Sequence, residues 1–118
     1  MPNYLPKVDA KHSITRTASA DITGGRYVEV TGSGQVAMAG ADSAKVLGVA
    51  MSDAKSGQSV TVSFDGVQRP LASGAITAGA KVYTGANGVA TATGTNNPVG
   101  IALNTVADGA QVDVLQNR

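Results

Sequence analysis

Short runs of alternating apolar and polar residues dominate this chain. In residues 60–64 the side chains of Val60, Val62 and Phe64 fall on one face of an extended strand, and two hydroxyl residues fall on the other. Similar runs occupy residues 27–31, 35–39, 46–50, 67–71, 81–84, 89–93, 99–103 and 111–115. Asp-Gly and Asn-Gly dipeptides, which suit tight turns, separate several of them. This spacing predicts an all-β fold of the small barrel or sandwich type.

The chain also contains an internal repeat. Residues 22–28 (ITGGRYV) and 76–82 (ITAGAKV) share the pattern I-T-x-G-x-x-V at a distance of 76 − 22 = 54 positions. Farther along, Gly48 corresponds to Gly100 at a distance of 100 − 48 = 52 positions, which indicates one shorter loop. We therefore predict a single β-domain over residues 18–118, built from repeat one at 18–66 and repeat two at 72–117. Chance similarity in a chain rich in Gly, Ala and Val is the alternative.

Apolar positions shared by the two repeats are predicted to face the interior. These positions are Ile22, Val28, Val49, Val60 and Val62 in repeat one, and Ile76, Val82, Ile101, Val112 and Val114 in repeat two. Aromatic residues make up only 3% of the chain, so the core must be built from aliphatic side chains and alanine. Such a core buries little apolar area per residue, and we therefore expect self-association as a homotrimer to add burial between copies.

The segment before the first repeat, residues 1–17, is predicted to be an extended N-terminal arm. It contains two prolines, which disfavour helix, and it has no place in the repeat. Its function would be to lie along a partner's surface through apolar and cationic side chains. The candidate contact residues are Tyr4, Leu5, Lys7, Lys11 and Arg16. A frayed terminus is the alternative interpretation of this segment.

The sequence contains few residues or motifs that could carry out catalysis or hold a cofactor. The chain has no Cys, and His12 is its single His, so thiolate sites and His pairs are excluded. No Gly-Lys pair occurs, which excludes a P-loop for nucleotide phosphates. We therefore predict a protein that is not an enzyme, with no catalytic residue, no cofactor, no metal and no small-molecule substrate.

The charge and hydropathy of the chain indicate whether it binds nucleic acid or a membrane. Nine Lys and Arg against eight Asp and Glu give a formal charge of +1, and the basic residues are dispersed. This balance predicts no nucleic-acid partner. No apolar run approaches the roughly 20 residues that a membrane-spanning helix needs, so no membrane partner is predicted either.

Several segments taken together resemble the phage capsid decoration, or cement, proteins. They are residues 13–18 (SITRTA), 22–25 (ITGG), 48–50 (GVA) and 57–62 (GQSVTV), followed by Gly66-Val67 and the second copy. The resemblance covers nearly the whole chain and rests on small and apolar residues. Some members of this family carry a recombinase-like label, which the missing Gly-Lys-[ST] motif does not support here.

The resemblance implies a structural virion protein that binds the outer surface of a phage capsid after synthesis in the host cytoplasm. Its partner would be the major capsid protein, whose neighbouring subunits it would clamp, often as a trimer. The family supplies no catalytic residues to carry over. A virion adhesion module that binds a glycan is the alternative function.

Overall fold

The computed structural model describes residues 13–64 and 66–116, which form β-strands joined by short loops. The strands are β1 (Ser13–Ala18), β2 (Tyr27–Gly32), β3 (Gln35–Met38), β4 (Val46–Ala50), β5 (Ser59–Ser63), β6 (Gly66–Gln68), β7 (Lys81–Thr84), β8 (Ala90–Thr91), β9 (Gly100–Ala102) and β10 (Val114–Gln116). A single 3₁₀ turn in this described part lies at Ala86–Gly88. The predicted all-β fold class is confirmed.

The first five strands form a closed barrel in the order β1-β3-β2-β4-β5, here named barrel one. β1 closes it by pairing antiparallel with β5 and parallel with β3. Alternation along β5 turns Val60 and Val62 inward and leaves Ser59 exposed. The buried interior consists of Ala18, Ile22, Val28, Val36, Ala50, Ala54, Val60 and Val62. Because every member is aliphatic, this interior needs no polar partner.

The last five strands form a second sheet in the order β6-β10-β9-β7-β8, here named barrel two. Its strands follow one another in the same order as β1-β5-β4-β2-β3 of barrel one. Within the described residues the two end strands, β6 and β8, share no ladder, and one parallel bridge from Ala72 to Ala90 links this side. Barrel two is therefore an incomplete copy of barrel one with one open side.

Isolated bridges outside the strands repeat as well. An antiparallel bridge joins Ile22 to Ala54 in barrel one, and another joins Ile76 to Val106 in barrel two. The separations are 76 − 22 = 54 and 106 − 54 = 52 positions, the same two values that the sequence repeat shows. The predicted repeat is thus present in the backbone, including its loop that is shorter by two residues.

Gly48 in β4 and Gly100 in β9 lie where neighbouring strands approach most closely. A Cβ atom at Gly48 would lie 2.2 Å from the carbonyl oxygen of Ser63, and one at Gly100 would lie 2.1 Å from that of Leu115. Any side chain at these positions would push the strand away from β5 or β10. The glycine that both repeats share is therefore required by strand packing.

Nine of the ten predicted interior residues are buried, and the prediction for Ile101 is wrong because its side chain is 37% exposed. Ile101 lies in β9 between the buried Gly100 and Ala102, so its side chain points away from the interior of barrel two. Its counterpart Val49 lies in β4 of barrel one and is buried because it packs into the core of barrel two. Equivalent positions in the repeats therefore differ in what covers them.

The boundary of the predicted arm at residue 17 falls inside β1. Ser13 to Thr17 pair with residues 59–63 of β5, and Ile14 packs against the interior of barrel one. This part of the prediction is corrected, because backbone hydrogen bonds to a neighbouring strand and an inward apolar residue make residues 13–17 part of the barrel. Residues 1–12 lie outside the described residues.

Candidate functional site

The seam between the barrels is centred on Tyr27 of β2. Tyr27, Ala39 and Val49 of barrel one join a buried cluster with Ala72, Ile76, Val82, Ala90, Val99, Ala102, Val112 and Val114 of barrel two. The seam also touches both ends of the open sheet: Gln68 of β6 donates to the Ser63 hydroxyl at 3.1 Å, and Gly88, just before β8, donates to the Ala39 carbonyl at 2.8 Å. Barrel one therefore fills the open side of barrel two.

The Tyr27 side chain is fully buried, but its hydroxyl is unpaired within the described part of the chain. Gly88 lies against the Tyr27 backbone, and a Cβ atom there would be 2.3 Å from the Tyr27 carbonyl oxygen. The Tyr27 hydroxyl is buried and has no hydrogen-bond partner among the described residues. Burial raises the pKa of this hydroxyl well above its ordinary value. Tyr27 thus contributes apolar area, while its polar end is a cost to stability.

A polar contact closes the seam at the loop between β3 and β4. The Asp42 carboxylate accepts backbone N–H bonds from Thr95, Asn96 and Asn97 at 3.2, 3.1 and 2.9 Å. The Asn97 side-chain amide returns a bond of 3.0 Å to the Asp42 carbonyl oxygen. Hydrogen bonds to a carboxylate are stronger than those between neutral groups. Asp42 therefore fixes the loop before β9 of barrel two onto barrel one.

Equivalent cross-strand rows on the outer faces of the two barrels have different surroundings. In barrel one the row is Ser13, Ser63, Val49 and Tyr27, and each residue is the cross-strand partner of the next. In barrel two the same pairings align Val67, Leu115, Ile101 and Lys81. Barrel two buries Tyr27 and Val49 of the first row, whereas all four side chains of the second row are exposed.

The exposed row is part of a larger apolar surface, here named the outer apolar face. It comprises Val67, Ile101, Leu103 and Leu115, which are 54%, 37%, 50% and 41% exposed. Among the described residues only two other large apolar side chains are exposed to this degree, Val30 and Met51, both on barrel one. A contiguous exposed apolar surface indicates an interaction site.

The sequence contained a signal for this face that the repeat-based prediction did not use. In residues 111–115 both Val114 and its neighbour Leu115 are apolar, and residues 99–103 place apolar side chains at successive positions. A strand that is apolar on both faces is covered on both sides. No described residue of this chain covers the face that carries Ile101 and Leu115.

Of the predicted contact residues, only Arg16 lies in the described part of the chain. It is half-buried in β1, and its guanidinium donates to the Thr15 carbonyl oxygen at 2.9 Å. Tyr4, Leu5, Lys7 and Lys11 lie outside the described residues, so the structure does not bring the predicted set together. The capsid contact of all five stays a prediction.

A shallow cleft of about 310 Å³ opens at one end of barrel one and is lined by both polar and apolar groups. Its carboxylates hold loops: Asp21 accepts the Ser56 amide at 3.0 Å, and Asp53 accepts the Gly24 amide at 2.8 Å. Lys55 lies 3.8 Å from Asp21 in an exposed ion pair. The equivalent positions of barrel two are Ala75, Thr105 and Ala107. Thr105, at the position equivalent to Asp53, accepts the Ala78 amide at 3.0 Å, so this loop contact is present in both repeats. The polar groups of the cleft therefore serve local loop structure.

Two kinds of feature are absent from the described residues, 13–64 and 66–116. These residues contain no group of three or more His, Cys, Asp or Glu side chains placed to hold a metal ion. They also contain no helix with the length and apolarity required to cross a bilayer.

Comparisons with known proteins agree with this picture. The fold is similar to the crystal structure of the N base of the head fiber protein gp8.5 of bacteriophage phi29, with a TM-score of 0.72 at 19% identity, covering 89% of this chain and 92% of that one. No curated protein sequence matches the chain. The family model described as phage cement protein matches residues 8–116, which is nearly the whole chain. The chain therefore belongs to the phage cement protein family, whose members are structural proteins associated with the phage capsid.

Proposed function

We propose that this protein binds the outer surface of a phage capsid and stabilises the contacts between major capsid protein subunits. The observation that carries the proposal is the family match over residues 8–116. It is supported by the fold, in which carboxylates such as Asp21 and Asp53 hold loops of the body in place. A protein that clamps others needs surface and rigidity, and these are what the two packed barrels supply.

Shell binding is the direct test. Purified protein is mixed with shells of its phage that lack it, and bound protein is measured by co-sedimentation and located by cryo-electron microscopy. We expect density on the outer surface across subunit boundaries, and shells that dissociate at a higher temperature than bare shells. Shells that remain bare at saturating protein would contradict the proposal, and glycan binding without shell binding would favour the adhesion module instead.

We also propose that the protein acts as a homotrimer. The interiors of both barrels are built from aliphatic side chains and alanine, and barrel two depends on barrel one for its core. Burial between copies adds stability that such small cores lack. On an icosahedral shell, three linked copies bind with an avidity that a single copy does not reach.

The residues before β1 are proposed to contact the capsid. β1 begins at Ser13, which pairs with Ser63 at the end of β5, so this is where the preceding segment joins the body. Deleting residues 1–11 should leave the fold and the self-association of the free protein unchanged while weakening shell binding. Reversing the charge of Lys7 and Lys11 should weaken binding less, and mainly at low salt, because exposed ion pairs are worth less than about 1 kcal/mol. Shell binding at full strength by the truncated protein would contradict a contact role for this segment.

A further inference from the structure

We infer that the outer apolar face, formed by Val67, Ile101, Leu103 and Leu115, is the surface through which copies of this protein contact one another, the same face of each copy meeting at the symmetry axis. The inference rests on the self-association proposed above and assigns it to particular residues. The observation behind it is the uncovered cross-strand row of barrel two.

The chain itself shows what covers this kind of row. In barrel one the equivalent row is buried at Tyr27 and Val49, and the cover is another copy of the same β unit, barrel two. Barrel two has the same row with Ile101 at the Val49 position and Leu115 at the Ser63 position, yet no described residue of the chain covers it. A further copy of the same unit, from a second chain, is the occupant that this internal precedent favours.

A second chain cannot dock in the way that the two barrels dock within one chain. That contact inserts Tyr27 into the open side of a barrel two, and in every copy this side is already filled by the chain's own barrel one. The contact between chains must therefore use surface that is exposed in the folded chain. Four of the six exposed large apolar side chains of the described residues lie on the outer apolar face, so bringing this face of each copy to the symmetry axis buries the most apolar area.

Electrostatics permits this contact between identical faces. Arg69 and Asp113, beside the apolar residues, neutralise each other across a distance of 3.1 Å between Nε and Oδ1. Lys81 lies at one end of the row, away from Val67. The whole chain carries a formal charge of only +1, so copies do not repel one another strongly. An apolar centre with few charges is typical of interfaces between identical subunits.

Cysteine cross-linking provides the test, because the natural chain contains no Cys. Leu115→Cys places a thiol at the centre of the face, and Met51→Cys places one on an apolar side chain of barrel one that is even more exposed, at 63% against 41%. Under mild oxidation we expect covalent dimers from Leu115→Cys and none from Met51→Cys. The reaction is run on free protein and on protein bound to shells, so that assembly on the capsid alone is also detected.

A second pair of variants tests the same face without oxidation. Leu115→Asp should weaken self-association, measured by light scattering, by at least about tenfold, because it brings like charges into a dry contact. Met51→Asp is the matched control and should leave the assembly unchanged. Melting temperatures close to that of the natural protein would show that both variants are folded.

Each result decides the inference separately from the proposed function. Cross-links at Leu115, in solution or on shells, would support it even if shell binding had failed for another reason. A protein that is monomeric both in solution and on shells, or an assembly that Leu115→Asp leaves intact, would overturn it. An intact assembly that no longer binds shells would overturn it as well and would assign the face to the capsid.

Discussion

Barrel one and barrel two share one strand order but differ in how completely their strands pair. β1 has six residues and pairs with two neighbours, whereas its counterpart β6 has three and pairs with β10 alone. β3 has four residues, and its counterpart β8 has two. Barrel one consequently encloses its own core, while barrel two shares a core with Tyr27, Ala39 and Val49. A duplicated unit can thus lose backbone pairing where its partner supplies apolar side chains.

The largest expected effect comes from removing the ring that joins the barrels. Tyr27→Ala should lower the free energy of unfolding by about 3–5 kcal/mol, as expected for deleting a buried aromatic side chain. Urea unfolding measures the loss, and hydrogen exchange locates it. Although Tyr27 belongs to barrel one, we expect amides of barrel two to lose the most protection.

Val28→Ala is the matched control for that experiment. Val28 is the next residue of β2 and points into the interior of barrel one. Its replacement should lower protection in barrel one first. Equal loss of protection in both barrels for both variants would contradict the dependence of barrel two on barrel one and would indicate a single cooperative core.

The two close-approach glycines offer a symmetric comparison. Gly48→Ala and Gly100→Ala should each cost about 3 kcal/mol, because an added methyl group overlaps a carbonyl oxygen of the neighbouring strand. Thermal and urea unfolding check the size of each loss. Because the core of barrel two includes residues of barrel one, we expect Gly48→Ala to destabilise both barrels. Gly100→Ala should destabilise mainly barrel two. An alanine tolerated at either site would contradict the close approach of the strands.

The Asp42 contact tests whether the seam also needs polar attachment. Asp42→Ala should cost about 2 kcal/mol, because three backbone N–H groups lose a charged acceptor and the backbone at position 42 has a positive φ of 49°. Asp42→Asn should cost about half as much, since asparagine keeps one oxygen acceptor and tolerates this backbone conformation. Urea unfolding measures both. A loss equal for the two variants would show that the charge, and not the oxygen, matters at the seam.

The smallest effect is a gain. Tyr27→Phe removes a buried hydroxyl that has no partner in the described part of the chain and should stabilise the protein by about 1 kcal/mol. Burial raises the folded-state pKa of Tyr27, so the unfolded chain releases this proton first, and stability should fall as the pH rises above about 10. Urea unfolding at neutral and alkaline pH should show that the Phe variant loses less stability than the natural protein. A destabilised Phe variant would reveal a hydrogen-bond partner for the hydroxyl.

Much of the fold could be predicted from local pattern. The alternation in residues 60–64 marks β5, and the repeated I-T-x-G-x-x-V motif marks the two copies that the backbone bridges reproduce. The predicted arm overlaps β1, because the prolines and the repeat do not mark where the arm ends and the partners of β1 in β5 lie more than 40 residues away. Local sequence carries no record of such distant pairing.

The candidate site was less accessible from sequence than the fold. The predicted contact residues follow from proline, charge and position before the repeat, and four of them lie outside the described residues. The outer apolar face depends on which apolar side chains remain uncovered after the barrels dock. Ile101 illustrates the difficulty. Alternation places its side chain on one face of the strand, but it does not indicate whether that face of the sheet is covered by other residues.

The sequence by itself determined the strand pattern, the duplication with the glycine that its two copies share, and the absence of Cys chemistry, because these depend on local periodicity and residue type. Only the tertiary structure decided that one barrel closes while its copy stays open, and that Val49 is buried while Ile101 is exposed. The physical reason is that contact between the barrels decides which side chains are buried. Barrel two covers Val49 of barrel one, whereas no described residue covers the equivalent Ile101 of barrel two.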